Sequence, residues 1–172
     1  MNTREFEFQP TLSGDLLKIR PLKATEFELL FEVASDPLIW ELHPQRERYK
    51  KEVFEKFFTL AVKSGGAFVI EDHGQAIGSS RFYDFRPEIS QVSIGYTFLA
   101  RKYWGGKFNR EMKKLMLEHA FKFVDNVTFE IGVNNLRSRK AIEKLGGKLV
   151  SNVELDGEPH VVYMITKSGF NF

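Results

Sequence analysis

Residues 91–112, QVSIGYTFLARKYWGGKFNREM, decide the fold. From Gln91 to Leu99, Val92, Ile94, Tyr96 and Phe98 alternate with Gln91, Ser93, Gly95 and Thr97. A period of two predicts a strand with one buried face and one face of small polar groups. Trp104-Gly105-Gly106 then turns the chain into a helix, where Phe108, Met112, Leu115, Met116, Ala120 and Phe123 recur at helical spacing. The basic pair Arg101-Lys102 and Lys107 flank that turn. A helix N-terminus presents unpaired N–H groups and roughly half a positive charge, and glycines let an anion reach that backbone with no Cβ in the way. The junction therefore suits a phosphate, although Gly-Gly before a helix is equally an ordinary strand-to-helix turn.

Upstream, Asp15 to Leu22 predicts a first strand, and Thr25 is the expected N-cap of a helix carrying Phe27, Leu30, Phe31 and Ala34. Asp36-Pro37 breaks it, and Tyr49 to Lys63 predicts a second helix with Val53, Phe57, Leu60 and Ala61 on one face, closed by Ser64-Gly65-Gly66. Strands Ala67 to Glu71 and Ala76 to Asp84, joined by Asp72-His73-Gly74, complete an antiparallel meander with the strand at 91–99. Downstream, Val127 to Val133 is a strand and Asn135 to Leu145 a helix stopped by Gly146-Gly147; a hairpin turning at Asp156-Gly157 runs between Val150 and Thr166. Asn135-Leu136-Arg137-Ser138 opens the second of two strand-to-helix junctions, and two such junctions side by side could hold one extended ligand. The plainer reading makes Asn134 or Asn135 only an N-cap.

With 172 residues, 42% of them hydrophobic, the chain can bury a continuous core, and no repeat or linker divides it, so a single domain over residues 1–172 is expected. Lys plus Arg number 25 against 23 acidic residues, a balance that argues against a whole-chain nucleic-acid footprint. The absence of Cys excludes disulfides and a cysteine acyl-enzyme and fits a reducing compartment, so a cytoplasmic protein is expected. No apolar run has signal-peptide or membrane-span length, which predicts a soluble chain. His43, His73, His119 and His160 are scattered with no pair at i, i+4, so no metal site is expected.

TFLARKYWGGKFNREMKKLMLEHAF (97–121) resembles the acetyl-CoA-binding motif of the GNAT N-acetyltransferase superfamily, and NNLRSRKAIEKLGGKLV (134–150) is similar to its following helix-and-strand motif. From DLLKIRPL (15–22) onward, the order of elements extends the resemblance over roughly residues 15 to 168. The Trp-Gly loop and N-x-x-S helix start are similar to the branch resembling the ribosomal-protein N-terminal acetyltransferases. The resemblance implies an α/β GNAT-like domain: a mixed, mostly antiparallel twisted sheet of about seven strands, helices on both faces, and a splay between the fourth and fifth strands. It implies acetyl-CoA as acyl donor, with Phe98 and Leu99 offering backbone hydrogen bonds to the pantetheine arm. Lys102, Gly105, Gly106, Lys107, Phe108 and Asn109 would surround the pyrophosphate, and Asn135 and Ser138 would face the pantetheine and the departing sulfur. Lys107 departs from the family's Q/R-x-x-G-x-G/A loop, whose last position is small. Arg137 or Lys140 would touch the nucleotide end; the run Arg137, Arg139, Lys140 and Lys144 is otherwise a solvated helix face.

The implied activity is N-acetyl transfer to a primary amine, a protein α-amine or a small amine. Such transfer needs a neutral amine, stabilisation of the developing oxyanion and a proton donor for the leaving thiolate. Without Cys, direct attack in a ternary complex is the simpler route, with the backbone N–H near Leu99 polarising the carbonyl. A lysine amine, pKa about 10.4, needs more help to lose its proton than an α-amine near about 7.7–8.0. Where many relatives carry a glutamate base, this chain has Ser93, and where many carry a tyrosine acid it has Ile142, leaving Ser138 or Tyr96 as donor. Candidate bases are Glu41, His43, Glu71, Asp84 and Glu130. Trp40 and Tyr83 are either pocket walls or core. The competing reading is a catalytically silent acyl-CoA-binding or regulatory module; an RNA-binding role would need a wider basic surface. The amine is set by the segments Asp36 to Lys50 and Phe85 to Ser90, whose shape one sequence does not give. Family analogy allows a homodimer, and Phe170 and Phe172 either pack on a partner or fold back.

Overall fold

The structure is a computed structural model and describes residues 5–171. Its strands are β1 (Leu12–Ser13), β2 (Lys18–Pro21), β3 (Ala67–Asp72), β4 (Gln75–Arg86), β5 (Gln91–Leu99), β6 (Asn126–Gly132), β7 (Lys148–Leu155) and β8 (Glu158–Thr166). The α-helices among the described residues are α1 (Phe27–Ala34), α2 (Lys51–Ser64), α3 (Lys107–Ala120) and α4 (Leu136–Lys144). All eight strands form one sheet in the order β1-β2-β3-β4-β5-β6-β8-β7. Neighbours are antiparallel except β5 and β6, which run parallel.

Local chemistry explains the order. His73 and Gly74 both take positive φ (47° and 81°), as do Asp156 and Gly157 (51° and 76°). Two consecutive left-handed residues match the twist of the strands that a tight hairpin joins, so each short turn folds β3 on β4 and β7 on β8. The parallel pair needs a longer crossover, which α3 supplies. One sheet face buries Met112, Met116, Leu117 and Ala120 of α3 and Ile142 of α4 against Ile19, Ile70, Val92, Ile94, Val127 and Phe129. The opposite face buries Leu30 and Ala34 of α1 and Phe54, Phe57, Phe58 and Ala61 of α2 against Val69, Ala76 and Phe98. Helices thus cover both faces, as the resemblance implied. None of them is long and apolar enough to cross a membrane.

Four details differ from expectation. The first strand is shorter than Asp15 to Leu22 and gains a two-residue partner, β1, because the Glu111 carboxylate on α3 accepts the N–H groups of Asp15, Leu16 and Leu17 and holds a turn there. Glu26, not Thr25, caps α1, without a side-chain cap bond; its carboxylate instead accepts the Lys23 N–H and pairs with Arg20. Phe6, whose charged neighbours Glu5 and Glu7 give no sign of a core segment, is buried and packs edge-on or stacked with Phe8, Phe82, Phe85 and Phe123.

The fourth is the alternation along β5. Ser79 pairs with Phe98 but Arg81 pairs with Gly95, so two steps on β4 face three on β5. That is a β-bulge. Tyr96 sits in it with φ 53° and is 41% exposed. Past it the faces exchange. Val92 and Ile94 join the α3 side, whereas Phe98 joins the α2 side with Trp40, Phe54 and Phe57. From α3, Lys113 Nζ donates to Thr97 Oγ1 at 2.8 Å, and that hydroxyl also bonds Ser80 Oγ at 2.8 Å, pinning the bulge from beneath.

Candidate functional site

Parallel pairing of β5 with β6 covers only Gln91↔Asn126, Val92↔Val127 and Ser93↔Thr128. Beyond Ser93 the strands part, and the fork opens between their C-terminal ends, where one leads to α3 and the other to α4. At the apex, Ser93 Oγ and Thr128 Oγ1 share a hydrogen bond of 2.8 Å and both residues are buried. Ser93 therefore closes the fork and has no access to a reacting amine.

On the α3 side, Gly105 and Gly106 take φ of 90° and 137°, and a Cβ on either would meet nothing within 4 Å. Their conformations favour glycine while the space around them is open. Gly106 caps α3 without any side-chain bond, and the first helical bond runs from Arg110 N–H to the Gly106 carbonyl. The leading N–H groups of Lys107, Phe108 and Asn109 and the helix dipole face this open surface, an arrangement suited to a phosphate. Lys107, at the position that is small in relatives, is exposed and its Nζ lies 5.6 Å from the Phe108 ring centroid. Lys102 is likewise exposed, against Tyr103. Arg101 points elsewhere, into an ion pair with Asp36.

On the α4 side, Asn135 Oδ1 accepts the Ser138 N–H at 3.3 Å, so Asn135 is the N-cap of the plainer reading. Ser138 is half-buried in the first turn. Trp104 spans the gap between the two sides: its Nε1 donates to the Leu99 carbonyl at 2.9 Å, and the Arg137 guanidinium lies 3.8 Å over its ring while pairing with Glu41. The basic run on α4 divides. Arg139 donates to Tyr163 Oη and to the Val133 carbonyl, inside the fold, while Lys140 and Lys144 are exposed. Ile142 is buried in the core.

The face of the fork under α2 carries the other chemistry. Gly95 lies so close beneath Tyr83 that a Cβ there would come within 2.9 Å of its ring. With no Cβ in the way, Tyr83 reaches across β5 and donates from its hydroxyl to Glu130 Oε2 on β6 at 2.9 Å. Burial, followed by the charge of Glu130, raises the Tyr83 pKa well beyond that of an ordinary phenol. Glu130 is half-buried on the stretch of β6 that has separated from β5. The remaining candidate bases are engaged elsewhere: Glu41 with Arg137, Glu71 with Arg20 and Asp84 with Arg86. His43 Nδ1 accepts the Gln45 N–H; burial, then Arg48 and His160, push its pKa down to about 3, leaving a neutral ring that is a poor base.

Two arginines unmarked in the sequence stand beside these groups. Arg81 of β4 is 6% exposed, with its guanidinium 3.9 Å over the Tyr96 ring and its Nε buried without a hydrogen-bond partner. Arg48 lies 4.7 Å over Phe57 and 5.6 Å over Trp40. Trp40 is buried, with its Nε1 bonded to the Ala34 carbonyl, and is core as much as wall. A single Arg within the apolar strand AIGSSRFYDF was the available signal for Arg81. Phe170 folds back onto Phe121 at 5.1 Å, and Phe172 lies outside the described residues. A surface depression of about 480 Å³ between α1, the β3–β4 turn and residues 100–103 shares Lys102 with the α3 side of the fork; Glu32 also lines it, and Asp36 and Arg101 on its wall pair with each other.

The acetyltransferase (GNAT) domain family model matches residues 17–148. No curated protein sequence matches the chain. Among solved structures, a GCN5-related N-acetyltransferase from Brucella melitensis superposes with a TM-score of 0.81 at 18% identity, covering 97% of this chain and 83% of that one. Mycobacterium smegmatis RimJ, in complex with CoA-disulfide, gives 0.73 at 17% identity, covering 94% and 89%. Spermidine N-acetyltransferase from Vibrio cholerae, in complex with CoA and spermine, gives 0.70 at 15% identity, covering 91% and 98%. At these identities the likeness is one of fold.

Proposed function

The chain belongs to the GNAT acetyltransferase family, and from that premise we propose that it transfers an acetyl group from acetyl-CoA to a primary amine, with Glu130 as the base. The observation that carries this is the fork: after Ser93↔Thr128 the strands part, an uncapped glycine-led helix stands at one side, and one carboxylate lies on the inner edge. The open surface at Gly105 and Gly106 fits a pyrophosphate, held by the N–H groups of Lys107, Phe108 and Asn109 with Lys102 and Lys107 adding charge. The β6-facing edge of β5 at Phe98 and Leu99 offers backbone groups to the pantetheine. Because Trp104 bonds the Leu99 carbonyl, the indole must share or yield that edge.

Acetyl-CoA supplies the activated acyl group; the chain supplies position and proton transfer. Glu130 takes the proton of the attacking amine, and the Tyr83 hydroxyl orients the carboxylate. Gly95 acts through Tyr83 by giving its ring room. Ser138, in the first turn of α4, is assigned as donor to the departing sulfur. Tyr96 belongs to the acceptor wall, because its ring is taken by Arg81. With no Cys in the chain, attack is direct.

Thermal unfolding with acetyl-CoA, with ATP as a phosphate control, tests the cleft, since a ligand that binds only the folded state raises the transition. Stabilisation by acetyl-CoA and not by ATP is expected. Glu130→Gln should keep that stabilisation and lower kcat/KM about 10²- to 10⁴-fold in an amine-panel assay. Full activity in the variant would remove Glu130 from its role.

A further inference from the structure

Arg81 and Arg48 stand against the same Phe57 ring, with guanidinium carbons 5.6 Å and 4.7 Å from its centroid, and among the described residues neither forms an ion pair. A buried cation is ordinarily matched by a carboxylate, because desolvating an unpaired charge is costly. Here two like charges share one aromatic wall. Burial depresses both pKa values, that of Arg48 to about 10 with Arg81 adding to the depression, while Asp156 acts on Arg48 from the β7–β8 turn without pairing. The aromatic faces of Tyr96 and Phe57 offset part of that cost but carry no negative charge, and the one polar side chain within hydrogen-bond distance of Arg48 among the described residues is the ring of His43, its Nε2 3.3 Å from Arg48 Nη1. Arg81 Nε, buried and unpartnered, is a donor waiting for an acceptor. Tyr96 lies beside Tyr83 at 5.1 Å between ring centroids, and Tyr83 leads to Glu130, so the arginines and the base line one wall.

We propose that Arg81 and Arg48 form an anion site for the acceptor, and that the substrate is a small amine carrying a carboxylate in the same molecule. This rests on the acetyl-transfer reading with Glu130 as base. Because two tyrosine rings stand between Arg81 and Glu130, the amine and carboxylate are separated by several bonds, as in an ω-amino acid or a dipeptide. A polyamine, cationic at every nitrogen, would be repelled.

The test compares 4-aminobutyrate, 6-aminohexanoate, glycylglycine and alanylalanine, each beside its carboxamide, with spermidine as the polycation. Thermal unfolding without acetyl-CoA reads binding, and acetyl-CoA consumption reads transfer. At least one acid should stabilise the protein where its carboxamide does not and be acetylated with kcat/KM roughly tenfold or more above the carboxamide, the scale of a lost charge-assisted hydrogen bond. Arg81→Met should abolish that preference, bringing the acid down to the carboxamide's level, and Arg48→Met should weaken it. Both substitutions remove a cation that has no carboxylate partner, so neither should lower the unfolding temperature without ligand. A carboxylate preference in binding with no acetyl transfer to any amine would sink the acetyl-transfer reading and leave the anion site standing. Equal binding of acids and carboxamides, preference for spermidine, or an undiminished preference in Arg81→Met would overturn the anion site itself.

Discussion

Replacing Lys113 by Met should raise the stability of the protein at neutral pH and flatten its pH dependence. Lys113 projects from α3 into the core, is 5% exposed, and has the Thr97 hydroxyl as its hydrogen-bond acceptor and the Phe129 ring at 5.6 Å. Burial pushes its pKa down from 10.5 to about 7. In the unfolded chain the ordinary value returns. Below about pH 7 both states hold the proton and the folded state bears the full cost of the buried charge. Between about 7 and 10.5 only the unfolded state holds it, so stability rises with pH by about 1.4 kcal/mol per pH unit. Across the whole window this amounts to about 5 kcal/mol, a large share of the 5–15 kcal/mol that holds a typical domain together.

Unfolding temperatures of both proteins at pH 6, 7, 8 and 9 give the measurement, because their difference cancels the other titrating groups. The wild type should gain on Lys113→Met by about 2–3 kcal/mol from pH 7 to pH 9, or roughly 5–10 °C for a chain of this size. Met has nearly the length of Lys and no charge, so the variant should be the more stable at pH 6 and 7 despite losing the bond to Thr97. Parallel pH profiles would refute the argument. They would mean that Lys113 is charged in the folded state throughout and that solvent reaches it.

Gly95→Ala puts a Cβ within 2.9 Å of the Tyr83 ring; Tyr83 should swing off Glu130, and kcat should fall at least tenfold while acetyl-CoA still raises the unfolding temperature. An unchanged rate would show that the Tyr83–Glu130 bond is dispensable. Gly106→Ala meets no neighbour, but a side chain at φ 137° is strained. We expect about 1–3 kcal/mol of lost stability or a reshaped α3 start, read as a weaker thermal shift with acetyl-CoA; an unaltered shift would take the phosphate away from this helix end.

Much of the fold was legible because its signals are local. His73-Gly74 and Asp156-Gly157 announce hairpins by conformational preference, and the helical spacing from Met112 to Ala120 announces α3. The fork was legible through the resemblance, and the glycine turn and uncapped helix stand where the motif placed them. What escaped depended on contacts between distant segments. Glu111 builds β1 by accepting N–H groups nearly a hundred residues away, and nothing near Leu12 signals it. Phe6 lies among charged neighbours, and its burial follows from a pocket assembled by Phe82, Phe85 and Phe123. The bulge escaped because QVSIGYTFL alternates cleanly as a sequence; only the pairing with β4 and the prop from Lys113 show that one residue is extra. The acceptor side suffered most, since Arg48 lies in an irregular segment and Arg81 acquires meaning only when Tyr96 turns out to meet it.

That one extra residue links the two halves of the site. In a regular β5, Tyr96 and Phe98 would continue the face of Val92 and Ile94 and point into the α3 core. The bulge sends Tyr96 to the opposite side, where its ring receives Arg81, and turns Phe98 under α2, where it seals the floor with Trp40 and Phe57. It also bends the strand, at a point where β5 has already parted from β6. A device that opened the fork without turning Tyr96 would leave Arg81 with only the more distant Phe57 ring; one that turned Tyr96 in a straight strand would leave the proposed pantetheine edge against β6. The buried Lys113 is tolerated because its bond to Thr97 holds the residue after Tyr96 in the conformation that does both. The energetic burden of that lysine and of Arg81 thus falls on the same few residues of β4 and β5, where binding of the two proposed substrates would compensate it.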